Sequence, residues 1–467
     1  MNLWILTEER PKNEVLKAIF IWFAKEQNCG FFGDRIRIIP LLNEERSFSF
    51  TYEVIGFKCA KVDRVFIKTI SGNSSFTDFL IFYQEGQPVV SDTPICAIEE
   101  TKTDDSESRN TGVYQRCSKF VYIRYFYPRT KLVMLYSLRV KQKPFPTLTN
   151  IFGTRMLLTL DVEVIGKSLD AEIFKPFASI DEMIAFKGEI HAPRGTNVQI
   201  AITKVSDSLI QISGRLVKGD SLSHDPNIGA LTVIAATLRK LGWEGRIVIT
   251  RHGLRQQHIK RGNKFVRIAN NIGIELEGLT LPRVPELTDY WHYELKGEKL
   301  GTIFIHICVE NFTTGFSIFE NHAGCEKGYF MTDKGEYIPL AKYSDRDAYK
   351  AGDKSAIIFI PDLVLLDIDE TEVITVEGKT YQNRAKGIEE LNNYGSFDRY
   401  YLKVYYPDFK VVKTVVLYGG NKECIVELKV GFLLNENGRL VLGLQAPKIF
   451  VKAITNLFSY WGVKTGR

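Results

Sequence analysis

Two carboxylates and one ammonium group occur together in segment 361–379, which reads as a β-hairpin. Asp362 opens the first strand, and Glu377 and Lys379 lie two residues apart on the second. Because successive side chains of a strand point to opposite faces, Glu377 and Lys379 share a face while Gly378 points away. Antiparallel pairing would set Asp362 beside Gly378, within reach of both charged side chains. Such a cluster at the end of an apolar hairpin predicts a site for an oxygen-preferring cation such as Mg²⁺.

A similar arrangement occurs earlier in the chain. Asp78 precedes an apolar run, and a later strand ends in Glu100 and Lys102, again two residues apart. Thr77 stands where the other hairpin has Pro361, and the intervening loop is longer. One such triplet alone would read as a solvated ion pair, because charged residues make up 25% of the chain. Two occurrences in the same order favour a common origin and a common chemistry.

The elements that must position these residues also follow the same order in both halves. A helical apolar spacing is followed by a β-like segment, the acidic hairpin, a polar helical segment and two apolar segments that read as strands. The chain is therefore interpreted as two diverged copies of one unit. In the first copy, the helix is predicted at 16–26, the first strand at 35–39, and the two closing strands at 120–128 and 131–136. In the second copy, the helix is predicted at 231–241, the first strand at 246–250, and the two closing strands at 400–407 and 411–418.

This order of helix, hairpin with an acid and then Glu-x-Lys, helix and strand resembles the PD-(D/E)XK nuclease superfamily. Within it, a single chain of this length looks most like a type II restriction endonuclease. The resemblance implies an α/β (α+β) fold of two nuclease-like units, each a mixed central sheet flanked by helices. The expected domains are an N-terminal nuclease-like unit at 1–190, a β-rich connecting segment at 191–225, and a C-terminal nuclease unit at 226–467.

The resemblance also implies roles for the two clusters. Asp362 and Glu377 would coordinate Mg²⁺ with help from the backbone carbonyl of Gly378, and Mn²⁺ is expected to substitute. Lys379 would orient the attacking water and stabilise developing charge at the scissile phosphate. The corresponding residues of the first copy are Asp78, Glu100, Thr101 and Lys102.

The charge distribution adds a candidate DNA-contact segment, residues 239–267, which the expected C-terminal unit includes. The net charge is only +6, but this segment carries nine Lys and Arg residues against a single acid, Glu244. Lys and Arg suit phosphate contacts, and amide and guanidinium groups suit base edges in the major groove. The alternative is that they form the solvated face of a helix and a loop. The candidate contact residues are Arg251, Arg255, Gln256, Gln257, His258, Lys260, Arg261, Lys264 and Arg267.

Several classes of protein are disfavoured. No apolar run reaches the roughly 20 residues that cross a bilayer, and the first ten residues meet acids where a signal peptide would be apolar, so a cytoplasmic protein without a membrane partner is expected. The seven cysteines include no Cys-x-x-Cys and so indicate neither a disulfide framework nor a zinc site. No phosphate-binding glycine motif precedes a helix, so no nucleotide cofactor is predicted.

These observations lead to one hypothesis and two alternatives. The hypothesis is a Mg²⁺-dependent, sequence-specific endonuclease acting on double-stranded DNA, in which each unit cuts one strand. A cognate DNA methyltransferase is expected as its partner, because a restriction enzyme must spare host DNA, and the chain would act as a monomer or a homodimer. The alternatives are a structure-specific repair or recombination nuclease and a non-catalytic DNA-binding protein.

Overall fold

The computed structural model describes most of the chain, with gaps at several loops. The described residues are 1–42, 48–72, 77–101, 117–136, 146–190, 200–214, 226–261, 264–285, 288–295, 297–322, 328–418, 430–434, 440–442 and 446–462. Within these ranges, no helix combines the length and the apolar character needed to cross a membrane.

Twenty-one strands are assigned within the described residues. They are β1 Asn2–Thr7, β2 Phe31–Leu42, β3 Phe48–Cys59, β4 Val65–Ser71, β5 Phe79–Gln84, β6 Cys96–Thr101, β7 Lys131–Tyr136, β8 Val162–Ile165, β9 Ala201–Ser206, β10 Leu209–Ser213, β11 Arg246–Thr250, β12 Ile274–Leu276, β13 His292–Tyr293, β14 Phe316–Glu320, β15 Tyr329–Met331, β16 Tyr337–Pro339, β17 Leu363–Asp367, β18 Glu372–Thr380, β19 Lys410–Tyr418, β20 Val430–Leu434 and β21 Leu440–Leu442.

Helices lie between these strands. The α-helices of the described residues are α1 Asn13–Glu26, α2 Ser118–Phe126, α3 Leu148–Thr159, α4 Ile180–Glu189, α5 Pro226–Lys240, α6 Lys264–Ile272, α7 Lys299–Phe312, α8 Arg346–Lys350, α9 Arg384–Asn393, α10 Gly395–Phe397, α11 Lys403–Tyr405 and α12 Lys448–Tyr460. A π-helical turn at Asp398–Leu402 joins α10 to α11.

The chain divides into two compact units. The first, here called the discontinuous unit, comprises Met1–Ser71, Tyr83–Gln87 and Tyr293–Arg467; the second, the central unit, comprises Gly72–Phe82 and Pro88–His292. These bounds do not coincide with the boundaries predicted at 190 and 225. In particular, segment 239–267 belongs to the central unit, together with Asp78, and not to the unit that contains Asp362.

A six-stranded mixed sheet dominates the C-terminal part of the discontinuous unit. Its strand order is β14-β17-β18-β19-β20-β21, in which β17 pairs antiparallel with β14 and β18, and β19 pairs parallel with β18 and β20. All five residues of β17 are buried, as is nearly all of β18. Strands buried on both faces need cover on both sides, which helices supply here.

Helices α7 and α9 cover opposite faces of this sheet. A side chain at Gly378 would meet Thr302 of α7, whereas a side chain at Gly387 of α9 would meet the neighbouring Lys379. Residues Leu300 to Val309 of α7 are all buried, as expected for a helix that is apolar all round. The acidic hairpin is therefore held between two helices within one unit.

The N-terminal strands of the discontinuous unit follow the order β2-β3-β4-β1, with β1 parallel to β4 and the other pairs antiparallel. Helix α1 buries an apolar stripe that includes Leu16, Phe20 and Phe23. The side-chain Oδ1 of Asn311 on α7 accepts a hydrogen bond from the backbone N–H of Ile38 at 2.9 Å, which ties β2 to α7.

Two sets of paired strands are described in the central unit. One has the order β5-β6-β7-β8, in which β5 and β6 are antiparallel and β6, β7 and β8 are parallel. The other has the order β12-β11-β10-β9, with only β9 antiparallel to its neighbour. Helix α5 buries Leu231, Val233, Ile234 and Leu238 in this unit.

The predicted class, mixed α/β with mixed sheets flanked by helices, is confirmed. The helix and strand pairs predicted at 16–26 with 35–39 and at 231–241 with 246–250 are present. The strands predicted at 120–128 and 400–407 are wrong, because both segments are helical.

Candidate functional site

A hydrogen bond from the backbone of the neighbouring strand, β18, fixes the side chain of Asp362. Asp362 lies one residue before β17, where the pairing of Leu363 with Val376 sets it opposite Glu377 and not, as predicted, beside Gly378. Its Oδ2 accepts a hydrogen bond from the N–H of Gly378 at 2.8 Å. One carboxylate oxygen is thus oriented by the strand that carries the other acid.

Glu377 and Lys379 point to the face covered by α9, and two side chains of this helical segment join them. The ammonium of Lys379 bonds to the Glu377 carboxylate and lies 2.8 Å from Oε2 of Glu390. The hydroxyl of Tyr394 donates to the other oxygen of Glu377. Lys379 therefore bridges two acids, and both oxygens of Glu377 are oriented.

Burial dominates the electrostatics of the two acids. It raises the pKa of Asp362 to about 6, although the Gly378 N–H and the charge of Lys379 oppose this shift. Burial, and then the charge of Asp362, raise the pKa of Glu377 to about 8, against the bonds from Lys379 and Tyr394. Burial lowers the pKa of Lys379, but its contacts with Glu377 and Glu390 outweigh this and hold it above the usual value. Lys379 therefore stays charged. Asp362 and Glu377 are stabilised when a cation or a proton neutralises them.

Gly378 lies where the strand approaches α7 most closely. A Cβ atom at this position would be 2.7 Å from Cγ2 of Thr302, 3.2 Å from the carbonyl oxygen of Glu298 and 3.3 Å from Oδ2 of Asp362. Thr302 is fully buried, so the helix has little room to move away. Glycine therefore lets the second acid, the lysine and Asp362 converge beside a packed helix.

This donor set fits a hard divalent cation. Mg²⁺ is usually held by one or two carboxylates together with waters and substrate oxygens. Asp362 is half-buried and Glu377 is buried, and each of their hydrogen-bonded oxygens keeps a second lone pair. The structure thus brings together Asp362, Glu377, Gly378 and Lys379, the four residues that the sequence singled out in this hairpin.

The first hairpin contains a matching hydrogen bond. Oδ2 of Asp78 accepts from the backbone N–H of Glu100 at 2.8 Å, and the pairing of Phe79 with Ile98 sets Asp78 opposite Glu99. The ammonium of Lys119, on α2, lies 3.2 Å from Oδ1 of Asp78 and 2.7 Å from the Glu99 carboxylate. Two acids and a lysine therefore also meet here, but they are not the predicted set.

By register, Glu99 is the counterpart of Glu377, Glu100 of Gly378, and Thr101 of Lys379. Because neighbouring residues of a strand point to opposite faces, the side chain of Glu100 lies on the face away from Glu99. Lys102 lies outside the described residues. Sequence reasoning missed Glu99 because two adjacent acids leave the register ambiguous by one residue, and it missed Lys119 because that lysine comes from a different element.

Most candidate DNA-contact residues lie in an exposed loop between β11 and α6. Those with exposed side chains are Arg251, Arg255, Gln256, Gln257, Lys260 and Arg261. Within the described part of the chain, the four basic ones form no salt bridge. Their charges are therefore available to an external anion.

The remaining candidates, His258, Arg267 and Lys264, are not shown to be exposed, and exposed Gln256 is already bonded to the protein backbone. His258 is half-exposed, and its Nδ1 accepts from the N–H of Arg255 at 3.0 Å. Arg267 is half-buried, and its Nε and Nη1 atoms have no hydrogen-bond partner among the described residues. The amide of exposed Gln256 exchanges two hydrogen bonds with the backbone of Thr280, at 2.8 and 3.0 Å. The side chain of Lys264 lies outside the described residues.

Further cations of segment 239–267 support the fold. The guanidinium of Arg239 donates to the carbonyl oxygens of Ile272, Trp243, Gly245 and Gly273 at 2.6 to 3.1 Å. The excess charge of the segment is thus only partly available for binding.

Comparison with known proteins adds no relative. No protein-family model matches the sequence, and neither a curated protein nor a solved structure matches the chain.

Proposed function

We propose that this protein is a Mg²⁺-dependent endonuclease that hydrolyses phosphodiester bonds of double-stranded DNA, in the manner of a type II restriction enzyme acting in the cytoplasm. Asp362, Glu377 and Lys379 form one reaction centre. Asp78, Glu99 and Lys119 form the other, and each centre serves one strand.

One observation carries the proposal. In both hairpins an aspartate accepts a 2.8 Å hydrogen bond from a backbone N–H of the next strand, in the same register. In both, a glutamate opposite that aspartate contacts a lysine. A solvated ion pair would not require this arrangement twice with the same backbone geometry, whereas a metal-assisted phosphoryl reaction requires two oriented acids and a cationic group.

The roles follow from the contacts. The bound cation would neutralise charge on the scissile phosphate and lower the pKa of a coordinated water. The hydrogen bond to Gly378 holds Asp362 in position, and Tyr394 and Lys379 hold Glu377. Lys379 is anchored by Glu390 and remains charged, so it can stabilise an anionic transition state.

The exposed cations Arg251, Arg255, Lys260 and Arg261 would contact the DNA backbone. Each phosphate contact that is lost should lower the dependence of affinity on salt by about one unit of slope. Reversing Arg251 or Arg255 to Glu should weaken binding of all DNA sequences. A change limited to one base position would instead indicate base readout.

The test is cleavage of supercoiled plasmid in Mg²⁺ by five proteins: wild type, Asp362→Ala, Asp78→Ala, Glu99→Gln and Glu100→Gln. Wild type should linearise the plasmid, and the Asp362, Asp78 and Glu99 variants should accumulate nicked circles. Glu100→Gln is the matched control, because its side chain lies on the other face, and it should still linearise the plasmid.

The products also separate the alternatives. Discrete fragments support restriction, and a smear supports a nuclease that recognises DNA structure. A mobility shift without cleavage in Mg²⁺ or Mn²⁺ contradicts the proposal and leaves a DNA-binding protein. If the fragments are discrete, DNA methylated by a cognate methyltransferase should resist cleavage.

A further inference from the structure

A second group of potential ligands lies in the discontinuous unit, on the α7 side of the sheet. His306 is on α7, Glu320 ends β14, and His322 follows two residues later. Both histidines are buried, at 0% and 6% exposure. One ligand atom from each of the three residues lies within 4.8 Å of the others. This cluster is separate from the Asp362 acids.

The first feature is the protonation of His306, whose outer nitrogen, Nε2, is the one that does not contact His322; the contacts of Nε2 place a proton on it. Its Nε2 lies 3.0 Å from Oε1 of Glu310, an oxygen that also accepts from the N–H and hydroxyl of Ser317 at 3.0 and 2.7 Å. The guanidinium of Arg10 donates to the other oxygen of this carboxylate, which therefore carries no proton. An ionised carboxylate only accepts hydrogen bonds, so Nε2 must donate. In a neutral ring this leaves a lone pair on Nδ1.

The outer nitrogen of His322 also carries a proton. Its Nδ1 lies 3.1 Å from Oγ1 of Thr302. The single hydroxyl hydrogen of Thr302 is directed to the carbonyl oxygen of Lys299 at 3.0 Å, so Oγ1 accepts from His322. In a neutral ring this leaves the lone pair of His322 on Nε2.

The two inner nitrogens therefore face each other as acceptors. Nδ1 of His306 and Nε2 of His322 are 2.9 Å apart, and Oε2 of Glu320 lies 3.6 Å from the same Nδ1. Two lone pairs and a carboxylate at these distances repel unless a positive species lies among them. We propose that His306, His322 and Glu320 bind a divalent transition metal of the zinc class.

The donor types select the class of ion. Two imidazole nitrogens and one carboxylate oxygen suit Zn²⁺, which binds histidine at about 2.0–2.1 Å, whereas Mg²⁺ prefers oxygen alone. The outer bonds to Glu310 and Thr302 are the kind that orient metal-binding histidines. Lys12 lies 3.3 Å from Oε1 of Glu320 and Arg10 lies 3.9 Å from Oε2. These cations disfavour an ion held by charge alone, so the imidazoles must supply the affinity.

The site would act on the hairpin through the backbone. Asn321, between Glu320 and His322, donates its N–H to the carbonyl oxygen of Asp362 at 2.7 Å. Holding residues 320–322 on a metal therefore holds the start of β17, where Asp362 lies. The role is structural and needs no contact with DNA.

The experiment measures metal binding by the full chain and does not use activity. Protein stripped with a chelator is loaded with Zn²⁺, desalted, and analysed by elemental mass spectrometry; a second sample is titrated with Co²⁺ and followed by visible absorption. Wild type should retain one equivalent of Zn²⁺ and give the absorption of nitrogen-ligated Co²⁺. His306→Gln and His322→Gln should lose both signals, and Glu310→Gln should weaken Zn²⁺ affinity by about 10- to 100-fold.

Two controls separate this site from others. His252→Gln alters another buried histidine, and Asp362→Asn alters the proposed Mg²⁺ centre; both should keep one equivalent of Zn²⁺. Should a ligand variant fail to fold, the wild-type Co²⁺ spectrum still decides. Retention of Zn²⁺ by both folded ligand variants overturns the proposal. So does a wild type that binds no metal, in which case the histidines share a proton.

Discussion

Replacement of Gly378 by alanine tests whether the close approach of β18 to α7 holds the acidic hairpin together. The new Cβ would lie 2.7 Å from Cγ2 of Thr302, at least 0.7 Å inside ordinary contact, which begins at 3.4 Å. Overpacking of this kind costs about 1–3 kcal/mol, and removing a glycine from a strand recovers about 0.5–1 kcal/mol. We therefore expect Gly378→Ala to lower the free energy of unfolding by about 1–2 kcal/mol.

Thr302→Ser provides the matched test, because it deletes only the methyl group and keeps the hydroxyl that contacts His322 and Lys299. Alone it should cost about 1 kcal/mol through lost burial. In the double variant the two changes should compensate. The sum of the stability losses of the two single variants should therefore exceed the loss of the double variant by about 1 kcal/mol or more. Relief stays incomplete, because Glu298 and Asp362 also lie within 3.3 Å of the new atom.

Urea-induced unfolding, followed by circular dichroism, measures these differences from the midpoint and slope of each transition. Gly395→Ala is the control, since a Cβ there meets nothing within 4 Å. It should leave stability unchanged or raise it by about 0.5–1 kcal/mol, because alanine favours a helix. If Gly378→Ala is as stable as wild type, or if Thr302→Ser gives no relief, α7 does not constrain the hairpin as described.

Three further predictions concern charge. Without metal, the free energy of unfolding should fall as the pH rises from about 4.5 to about 8, because Glu377 keeps a proton in the folded protein that it has released in the unfolded chain. Urea titrations should show a flatter pH dependence for Glu377→Gln, and an unchanged pH dependence in this variant would contradict the prediction. Mg²⁺ should bind more than about tenfold tighter at pH 8 than at pH 6.5, and its binding should release protons. Calorimetry in buffers of different ionisation enthalpy detects this proton release, and Mg²⁺ binding that is independent of pH would argue against Glu377 as a ligand. Arg239→Lys should lower stability by about 2 kcal/mol in thermal unfolding, because an ammonium group cannot reach all four carbonyl groups that the guanidinium contacts. The control Arg246→Lys, at an exposed ion pair, should change stability little, and equal effects of the two variants would refute the structural role of Arg239.

Local pattern predicted which residues of the second hairpin carry the charges, because period-two alternation places Glu377 and Lys379 on one face; the predicted pairing of Asp362 with Gly378 was wrong by one residue, since the register sets Asp362 opposite Glu377. The first hairpin was harder to predict, since the adjacent acids Glu99 and Glu100 fit either face and a slip of one residue exchanges them. Lys119 approaches from another element, so no spacing along the strand points to it.

Tertiary packing also overrode local preference in the aromatic segments. Aromatic residues are enriched in strands, yet Tyr122 and Phe126 lie on a helix, where their rings pack with that of Tyr290. His306 and His322 meet only because α7 and the end of β14 are neighbours. No short motif joins them, so local sequence pattern could not have predicted that pair.

The discontinuous unit has a consequence for biosynthesis. Its first segment ends at Ser71 and its main segment resumes at Tyr293, so 221 residues separate them. At a translation rate of about 5–20 residues per second, the early strands wait on the order of 10–45 seconds for the helix that covers them. During this interval Ile38 and its neighbours lack their final partners. The nascent chain is therefore exposed to misfolding until α7 leaves the ribosome, and a chaperone that binds the first 71 residues would improve the yield of folded protein.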